Sequence, residues 1–313
     1  MLTRRHLRIK VFQALYAYEY DPERGLIKAE KQLRHSIEEI NRLYLFDLAA
    51  LVLIHRYAKE RIELNRQKKL PSDSDLNPSL RFAENRFLVW LANNPSFQKA
   101  LETEHIKFGD EKELIRKIFK DLIEDERYQE YLSAPAKDLK ADRKIVKFLY
   151  GKYLAENEDL HEVYEARNMH WSDDLDAAQA MVVKTITSFD ESREQEGGLV
   201  PLIKHQDDMD FALKLFRLSV NEGEKWEQRI LAKAEHWEGD RIATVDQILM
   251  KIALVELVSF NQIPVKVTLN EYIELAKQYS TKRSGQFVNG ILDKLQLEMI
   301  KSGEIKKIGR GLL

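Results

Sequence analysis

The stretch that decides the fold is RIATVDQILMKIALVELVSFNQIPVKVTLNEYIELAKQYSTKRSGQFVNGILDKL, residues 241–295. Its apolar residues recur at helical spacing, and this pattern predicts three helices in succession with short connections. Pro264 separates the first helix from the second, because the residue before a proline avoids the helical region of the backbone. The first helix carries one apolar stripe at i, i+3, i+4, i+7 spacing, formed by Val245, Ile248, Leu249 and Ile252.

The second and third helices of this stretch carry recognisable start signals. Thr268 and Glu271 form a Thr-x-x-Glu capping box, which predicts that the second helix starts there. Thr281 or Ser284 is the candidate cap of the third helix. The apolar stripe of the third helix consists of Phe287, Val288, Ile291, Leu292 and Leu295.

The composition is that of an ordinary folded protein. The chain has 313 residues, of which 44% are hydrophobic and 33% charged, a profile that favours a helical globular protein. The net charge of -2 gives no general affinity for nucleic acid, so any such binding must come from local patches. There is no cysteine, which excludes disulfides and thiolate chemistry. The chain also lacks an apolar run of membrane-spanning length, so we predict a cytoplasmic protein.

The rest of the chain also reads as helical, and strand signals are almost absent. The polar residues 70–78 predict a loop, the acidic residues 191–201 with Gly197 and Gly198 predict a linker, and the basic tail after Ile300 is expected to be mobile. Helices are predicted over residues 3–20, 27–67 with a break near Asn41, 79–93, 96–104, 110–132, 138–156, 159–168, from a cap at 172–174 to Phe189, 207–221 and 223–236.

Several phrases of the sequence resemble the NusB family of bacterial transcription antitermination factors. The most specific of them is FVNGILD, and the first helix is also similar to the family's first helix, from Arg4 and Arg5 to QALY at residues 13–16. The resemblance covers roughly residues 1–20 and 207–297. The matching phrases in the deciding stretch are KIALVEL (251–257), IPVKV (263–267), Asn270 with Glu271, ELAK (274–277) and FVNGILD (287–293).

The resemblance implies an all-α fold, a NusB-like pair of helical bundles with an additional inserted helical region. We expect a basic N-terminal helix of the core at residues 1–20 and an inserted or extended helical region at 21–200. A C-terminal helical bundle is expected at 201–300, followed by a basic flexible tail at 301–313.

The N-terminal helix is a candidate surface for phosphate. Residues 1–20 hold four cations against one acid, Glu19. Arg8 follows Arg4 by four residues and Arg5 by three, so we predict that the three guanidinium groups share one helix face. Arginine forks match phosphate oxygens and stack on bases. The alternative interpretation is an ordinary solvated helix face.

A second basic region spans residues 277–310, with eight cations against three acids. Lys277, Lys282 and Arg283 are its candidate RNA contacts. Lys282 and Arg283 stand at the start of the last helix, where backbone N–H groups also favour an anion. We predict that the two basic regions form one shared RNA track.

Aromatic and amide side chains near these patches are candidates for base recognition. Single-stranded RNA is usually read by bases stacked on aromatic planes. Tyr16 is the candidate stacker, with Tyr279 as a further aromatic, whereas Tyr18 is better explained as a packing residue. For Phe287 a core role is the favoured interpretation, but the resemblance implies that it lies close to the RNA-facing end of the last helix, which makes it a candidate contact. Asn289 offers both a donor and an acceptor.

The sequence carries no enzyme signature. Phosphate-binding loops, a dinucleotide fingerprint and a His-Glu-x-x-His motif are all missing. One segment mimics a calcium loop, but Pro78 stands where such a loop needs glycine. We therefore expect no catalytic residue, no cofactor and no metal. The oxygen-bearing residues of the calcium-like segment are Asp73, Asp75, Asn77, Ser79 and Glu84.

The resemblance implies a function in transcription antitermination at ribosomal RNA operons. The protein would bind single-stranded boxA-type RNA together with NusE, a ribosomal protein of the small subunit, and would join other Nus factors and RNA polymerase to prevent premature termination. The rival hypothesis is a non-enzymatic helical scaffold that binds only protein. A homodimer that buries its RNA surface is a third possibility.

Overall fold

The computed structural model describes residues 1–21, 23, 25–109, 111–134, 138–196, 198–234 and 242–312. Over these residues the chain is all-α and contains no β-strand, so the predicted fold class is confirmed. Within the same residues, no helix is long and apolar enough to cross a lipid bilayer. The predictions made for residue 110, Gly197 and residues 235–241 lie outside the described part.

The helices follow one another with mostly short connections. They are α1 (Arg4–Tyr20), α2 (Leu26–Arg66), α3 (Asp73–Leu76), α4 (Arg86–Asn93), α5 (Pro95–Thr103), α6 (Glu111–Ile123), α7 (Glu126–Ser133), α8 (Leu139–Leu149), α9 (Glu158–Arg167), α10 (Trp171–Thr187), α11 (Glu191–Glu196), α12 (Gln206–Asn221), α13 (Gly223–Ala234), α14 (Thr244–Ser259), α15 (Val265–Tyr279) and α16 (Ser284–Lys301). A π-helical turn, Tyr150–Ala155, follows α8, and a 3-10 turn, Gly309–Leu312, ends the described chain.

Contacts between residues divide the chain into two compact units. The core unit consists of Leu2–Ile37 and Ile203–Leu313, and the central unit consists of Glu38–Leu202 together with Met1. Helix α2 contributes residues to both units. The predicted domain boundaries after residues 20 and 200 stay a prediction. The contact-based core unit differs from them in that its first segment extends from Leu2 to Ile37.

The core unit is built around α14. This helix packs against α1, α12, α13, α15 and α16, and every residue from 248 to 257 is buried. A helix that is apolar on all sides must be enclosed by others. Helix α14 has that character over residues 248–257, where Lys251 and Glu256 are the two charged side chains. Ile248, Leu249 and Ile252 of the predicted stripe lie in this core.

The predicted start of the second helix of the deciding stretch is wrong. Helix α15 begins at Val265, directly after Pro264, so Thr268 lies one turn inside it. The Thr268 hydroxyl donates to Glu256 of α14 at 2.8 Å and therefore caps nothing.

The predicted cap of the third helix, Thr281 or Ser284, is also wrong. Helix α16 begins at Ser284, its N-cap residue is Arg283, and no side chain makes a capping hydrogen bond. The Ser284 hydroxyl instead accepts from the Thr281 backbone N–H at 3.2 Å.

The central unit is helical where loops or breaks were predicted. Helix α2 continues without a break past Asn41, and Arg42 pairs with Glu39 across that position at 2.9 Å. Helix α3 lies within the predicted polar loop, and the calcium-like Asp75 accepts hydrogen bonds from Lys68 and from the Ser72 backbone at 2.8 and 3.0 Å. Helix α11 lies within the predicted acidic linker.

A buried carboxylate links three elements of the central unit. Asp47 of α2 accepts hydrogen bonds from the hydroxyl of Tyr150 in the π-helical turn and from that of Tyr164 in α9. Burial raises the pKa of Asp47 to about 6 although these hydrogen bonds oppose the shift. The carboxyl is therefore held in an environment that favours its neutral form.

The basic tail packs on the core unit instead of being mobile as predicted. Ile305 is buried, and the Ile308 backbone N–H donates to the Asn261 carbonyl at 3.0 Å. Gly311 lies so close to Asn261 that an added Cβ would stand 2.0 Å from its carbonyl oxygen. A few apolar and small residues thus fix a segment whose composition is mostly polar.

Candidate nucleic-acid interface

Side chains of α1 and α15 meet at two levels. Arg5 donates to Glu271, 266 residues further along the chain, at 2.9 and 3.1 Å. Further along both helices, the rings of Phe12 and Tyr279 lie 5.3 Å apart. Because both contacts advance together, the two helices run in the same direction here, and Tyr279 is the last residue of α15.

An aromatic ladder runs along the second half of α1. We use this name for Phe12, Tyr16 and Tyr20, which are spaced i, i+4 and i+8 and therefore share one helix face. The centroids of neighbouring rings lie 6.3 and 4.9 Å apart. Phe12 is buried, whereas Tyr16 is 38% and Tyr20 67% exposed. The ladder thus leads from the core to the surface and ends in two ring faces that bases can reach.

The connection between α15 and α16 carries two exposed cations. Lys282 and Arg283 are exposed, and within the described residues neither has a carboxylate at salt-bridge distance. Lys277 pairs with Glu274 at 2.6 Å, one turn before the connection. An added Cβ on Gly285 would stand 2.8 Å from the Lys277 side chain, so the small residue lets the lysine stem cross the start of α16.

Asn289 and Phe287 extend this region along α16. Asn289 is exposed on the side of the helix that faces away from the core, and Phe287 is half-buried. The predicted residues that lie where α15 ends and α16 begins are Lys277, Lys282, Arg283, Phe287 and Asn289. Tyr16 lies on α1, one turn beyond Phe12, whose ring meets Tyr279 of α15. Tyr18 packs against Phe216 of α12, with ring centroids 6.1 Å apart, as its packing interpretation predicted.

The arginines of α1 do not share one free face. Arg4 turns to α12, where it pairs with Asp208 at 3.4 Å and lies over the Phe211 ring at 4.9 Å. Arg5 turns to α15, and its hydrogen bonds with Glu271 raise its pKa. Both side chains remain about half exposed. Exposed ion pairs contribute little to the stability of a protein, so a phosphate can take the place of these carboxylates as the partner of Arg4 or Arg5.

Arg8 is not available to phosphate, and its predicted role is wrong. It is 3% exposed, and its fork donates to Glu256 of α14 at 2.8 and 2.7 Å. Glu256, 0% exposed, also accepts from Thr268 and from the Tyr272 hydroxyl at 2.8 and 2.9 Å. Burial alone would lower the pKa of Arg8, but the hydrogen bonds and charge of Glu256 outweigh it and raise that pKa above its usual range. Arg8 therefore fastens α1 to α14 and α15.

The predicted single track needs a second correction. From Arg5 to Tyr16 the helix advances by about 16 Å, so Arg4 and Arg5 stand at one end of α1 and the ladder stands at the other. Lys282 and Arg283 follow Tyr279, which meets Phe12 of the ladder, whereas Arg5 meets Glu271, two turns earlier on α15. Lys307 of the second basic region turns inward, where its ammonium donates to the Phe260 carbonyl at 3.1 Å.

Two parts of the site are missing from the sequence-based prediction. Tyr20 is not among the predicted RNA contacts, although the spacing of Phe12, Tyr16 and Tyr20 contains the signal for a shared aromatic face. The acidic partners Glu256 and Glu271 have no local signal at all, because each meets its arginine across more than 240 residues of sequence.

The core unit is thus an all-helical bundle with an exposed aromatic ladder on α1 and, within the described residues, two cations without a carboxylate partner on the connection after α15. The NusB family model matches residues 176–297. The chain is 43% identical to the transcription antitermination protein NusB of Salinibacter ruber over 114 residues, 36% of this chain and 71% of that protein. These two matches show that the chain belongs to the NusB family.

Two further relatives cover smaller shares of their own length. The NusB protein of Chloroherpeton thalassium is 40% identical over 104 residues, 33% of this chain and 49% of the relative. That of Koribacter versatilis is 36% identical over 89 residues, 28% of this chain and 61% of the relative. No solved structure matches the chain. The family match begins within α10 and leaves most of the central unit without a counterpart in the family model.

Proposed function

We propose that this protein is a transcription antitermination factor that acts by binding RNA. The names of the three relatives support the antitermination role. The observation that carries the RNA part is the aromatic ladder with its exposed residues Tyr16 and Tyr20. Its buried ring, Phe12, meets Tyr279 at the end of α15, three residues before the exposed cation Lys282. Stacked rings next to cations are what single-stranded nucleic acid requires.

The ligand in this proposal is a boxA-type single strand from the leader of a ribosomal RNA transcript. Tyr16 and Tyr20 stack bases, while Lys282, Arg283 and Lys277 neutralise phosphates. Asn289 offers a donor and an acceptor to a base edge, and Phe287 lines the same region. Arg4 and Arg5 contact phosphates further along the strand, after the strand displaces Asp208 and Glu271.

The partner in this proposal is NusE, the ribosomal protein of the small subunit. The complex with NusE and RNA would join other Nus factors and RNA polymerase and prevent premature termination. No bond is made or broken by this protein, because its contribution is to hold RNA and protein together. A cytoplasmic location follows from such a role and stays a prediction.

The decisive experiment is a salt titration of binding to a fluorescein-labelled boxA RNA. In the double variant Lys282→Ala/Arg283→Ala, the slope of log K against log salt should fall by about 1.4, since each phosphate contact on a single strand contributes about 0.7. Tyr16→Ala should lose about 1–3 kcal/mol of binding free energy. The matched control is Lys294→Ala/Lys301→Ala on α16, which removes the same charge from exposed positions further from the ladder.

An unchanged slope in Lys282→Ala/Arg283→Ala, or an equal loss in the control, would contradict the assignment of these cations. Capture of NusE with and without RNA separates the proposal from its rival. If NusE is captured equally well in both cases and RNA is not bound, the protein is a scaffold. Sedimentation with and without RNA tests for a homodimer that RNA dissociates.

A further inference from the structure

The central unit carries a second cationic surface, on α8. Lys140, Lys144 and Lys147 are exposed and spaced i, i+4 and i+7, so they lie within about 60° of one another around the helix axis. We call these three residues the lysine stripe. The opposite face of α8 is buried and consists of Asp142, Ile145, Val146 and Leu149.

The stripe is not an ordinary solvated helix face. Such faces usually place acids and bases at i, i+4 spacing, which stabilises the helix, whereas like charges at this spacing destabilise it. The single acid of α8, Asp142, is buried, where it accepts hydrogen bonds from Tyr131 and from the Arg86 backbone at 2.7 and 3.0 Å. Within the described residues, no carboxylate stands at salt-bridge distance from the three lysines. Their mutual repulsion is therefore uncompensated until an anion binds.

The helix that carries the stripe is held firmly in place. It packs against α4, α7 and α10. Arg143, at the edge of the outer face, donates to the carbonyl groups of Thr187 and Phe189 at 2.9 Å each, near the end of α10. The lysine positions on the backbone are thus fixed, and an anion that binds them need not order the helix first.

A half-buried aromatic ring borders the stripe. Arg127 of α7 lies over the Phe148 ring at 4.8 Å, and Lys152 lies 5.6 Å from the same ring. The Tyr153 ring meets Phe148 edge-on at 6.0 Å. Arginine planes and aromatic rings beside lysines are the elements of a surface that binds single-stranded nucleic acid without reading its sequence.

We propose that the lysine stripe is a second contact surface for single-stranded RNA, separate from the one in the core unit. RNA is favoured over an acidic protein because protein interfaces depend on large apolar anchors, and no strongly exposed large apolar residue lies on α7, on α8 or on the π-helical turn that follows α8. Lysine acts on phosphate as a point charge, so the stripe would contact the phosphates of the RNA backbone and leave base recognition to other residues. This inference rests on the proposed function only in that the protein acts on RNA.

The test uses the full chain and a fluorescein-labelled oligouridylate, which contains no boxA sequence. The variant Lys140→Ala/Lys144→Ala/Lys147→Ala should lower the salt slope by about 2, from about 0.7 for each of three lysines. In a Lys282→Ala/Arg283→Ala background, the affinity near 0.1 M salt should fall on the order of 100-fold. The helix content should not change, because alanine is a good helix former at exposed positions.

The matched control is Lys112→Ala/Lys117→Ala/Lys120→Ala on α6, which changes the charge of the same unit equally at exposed positions. An unchanged slope in the stripe variant, or an equal change in the control, overturns the proposal. Stripe-dependent binding of polyglutamate as tight as that of oligouridylate would assign the stripe to an acidic protein instead. Because oligouridylate lacks boxA, a protein that shows no preference for boxA can still show the stripe effect, so the two proposals fail independently.

Discussion

The substitution Glu256→Gln tests the contact that fastens α1 to the core. Each carboxylate oxygen of Glu256 accepts one bond from the Arg8 fork, and Oε1 also accepts from Thr268 while Oε2 accepts from Tyr272. A glutamine has only one acceptor oxygen, so its amide N–H₂ would face two donors. It also removes the negative charge opposite a guanidinium that is 3% exposed. Breaking a buried ion pair in this way costs about 3–5 kcal/mol.

The assay is native-state hydrogen exchange, because a chain of two units need not unfold in a single step. The opening free energies of amides in α1 and α14 should fall by about 3–5 kcal/mol in Glu256→Gln. The control is Glu30→Gln, which removes the partner of Arg217 in an equally bidentate pair at 2.6 and 2.8 Å. Arg217 is about half exposed, so the control should cost no more than about 1 kcal/mol.

Equal losses in Glu256→Gln and Glu30→Gln would refute the argument, because burial would then add nothing. The double variant Arg8→Met/Glu256→Leu makes the cause explicit. Replacing a buried pair by apolar residues is often neutral or stabilising. This variant should recover part of the loss, because it removes the unpaired charge but also the acceptor of the Thr268 and Tyr272 hydroxyls. If it is as unstable as Glu256→Gln, then the unpaired charge is not the main cause of the loss.

Three further perturbations follow from the structure. Burial raises the pKa of Asp47 to about 6, so the stability that its neutral carboxyl contributes is present below about pH 4 and is lost as pH rises through 6. In urea unfolding, the free energy of unfolding of Asp47→Asn should therefore gain up to about 3 kcal/mol over that of the wild type between pH 4 and pH 7.5. Gly311→Ala should release the tail at a cost of about 1–3 kcal/mol, measured as faster exchange of the Ile308 amide, whereas Gly198→Ala, with open space around it, should have no effect. Tyr20→Ala should weaken RNA binding by about 1–3 kcal/mol without changing α1 stability, and an equal loss of stability would contradict a role in stacking.

The helices of the core unit could be predicted because their signal is local. Ile248, Leu249 and Ile252 lie on one stripe by spacing alone, and that stripe is buried as predicted. Helix starts depend on finer competition. Thr268 and Glu271 fit a capping box, but the helix starts directly after Pro264. The Thr268 hydroxyl then donates to Glu256, and Glu271 accepts from Arg5.

The candidate site is less predictable because the exposure and the partners of its charged side chains depend on residues that are distant in the sequence. Arg4, Arg5 and Arg8 are alike in sequence, yet they pair with acids on α12, α15 and α14, respectively. Whether an arginine is half exposed or buried depends on which helix covers that side of α1, and no local pattern contains this information. The tail shows the same limit, since its polar composition predicted mobility while Ile305 and Gly311 provide the packing that holds it.

Helix α1 combines two tasks that the sequence presents as one basic amphipathic segment. Its first half is fastened by Arg8, and its second half carries Tyr16, which lies about 12 Å further along the same helix. Because the helix is continuous, the position of the Tyr16 ring relative to Lys282 depends on the Arg8–Glu256 contact. Glu256→Gln should therefore weaken RNA binding through a misplaced ladder, although Glu256 is buried and cannot touch RNA. Tyr16→Ala should weaken binding at full stability, so the two variants separate the fastening of α1 from its contact with RNA.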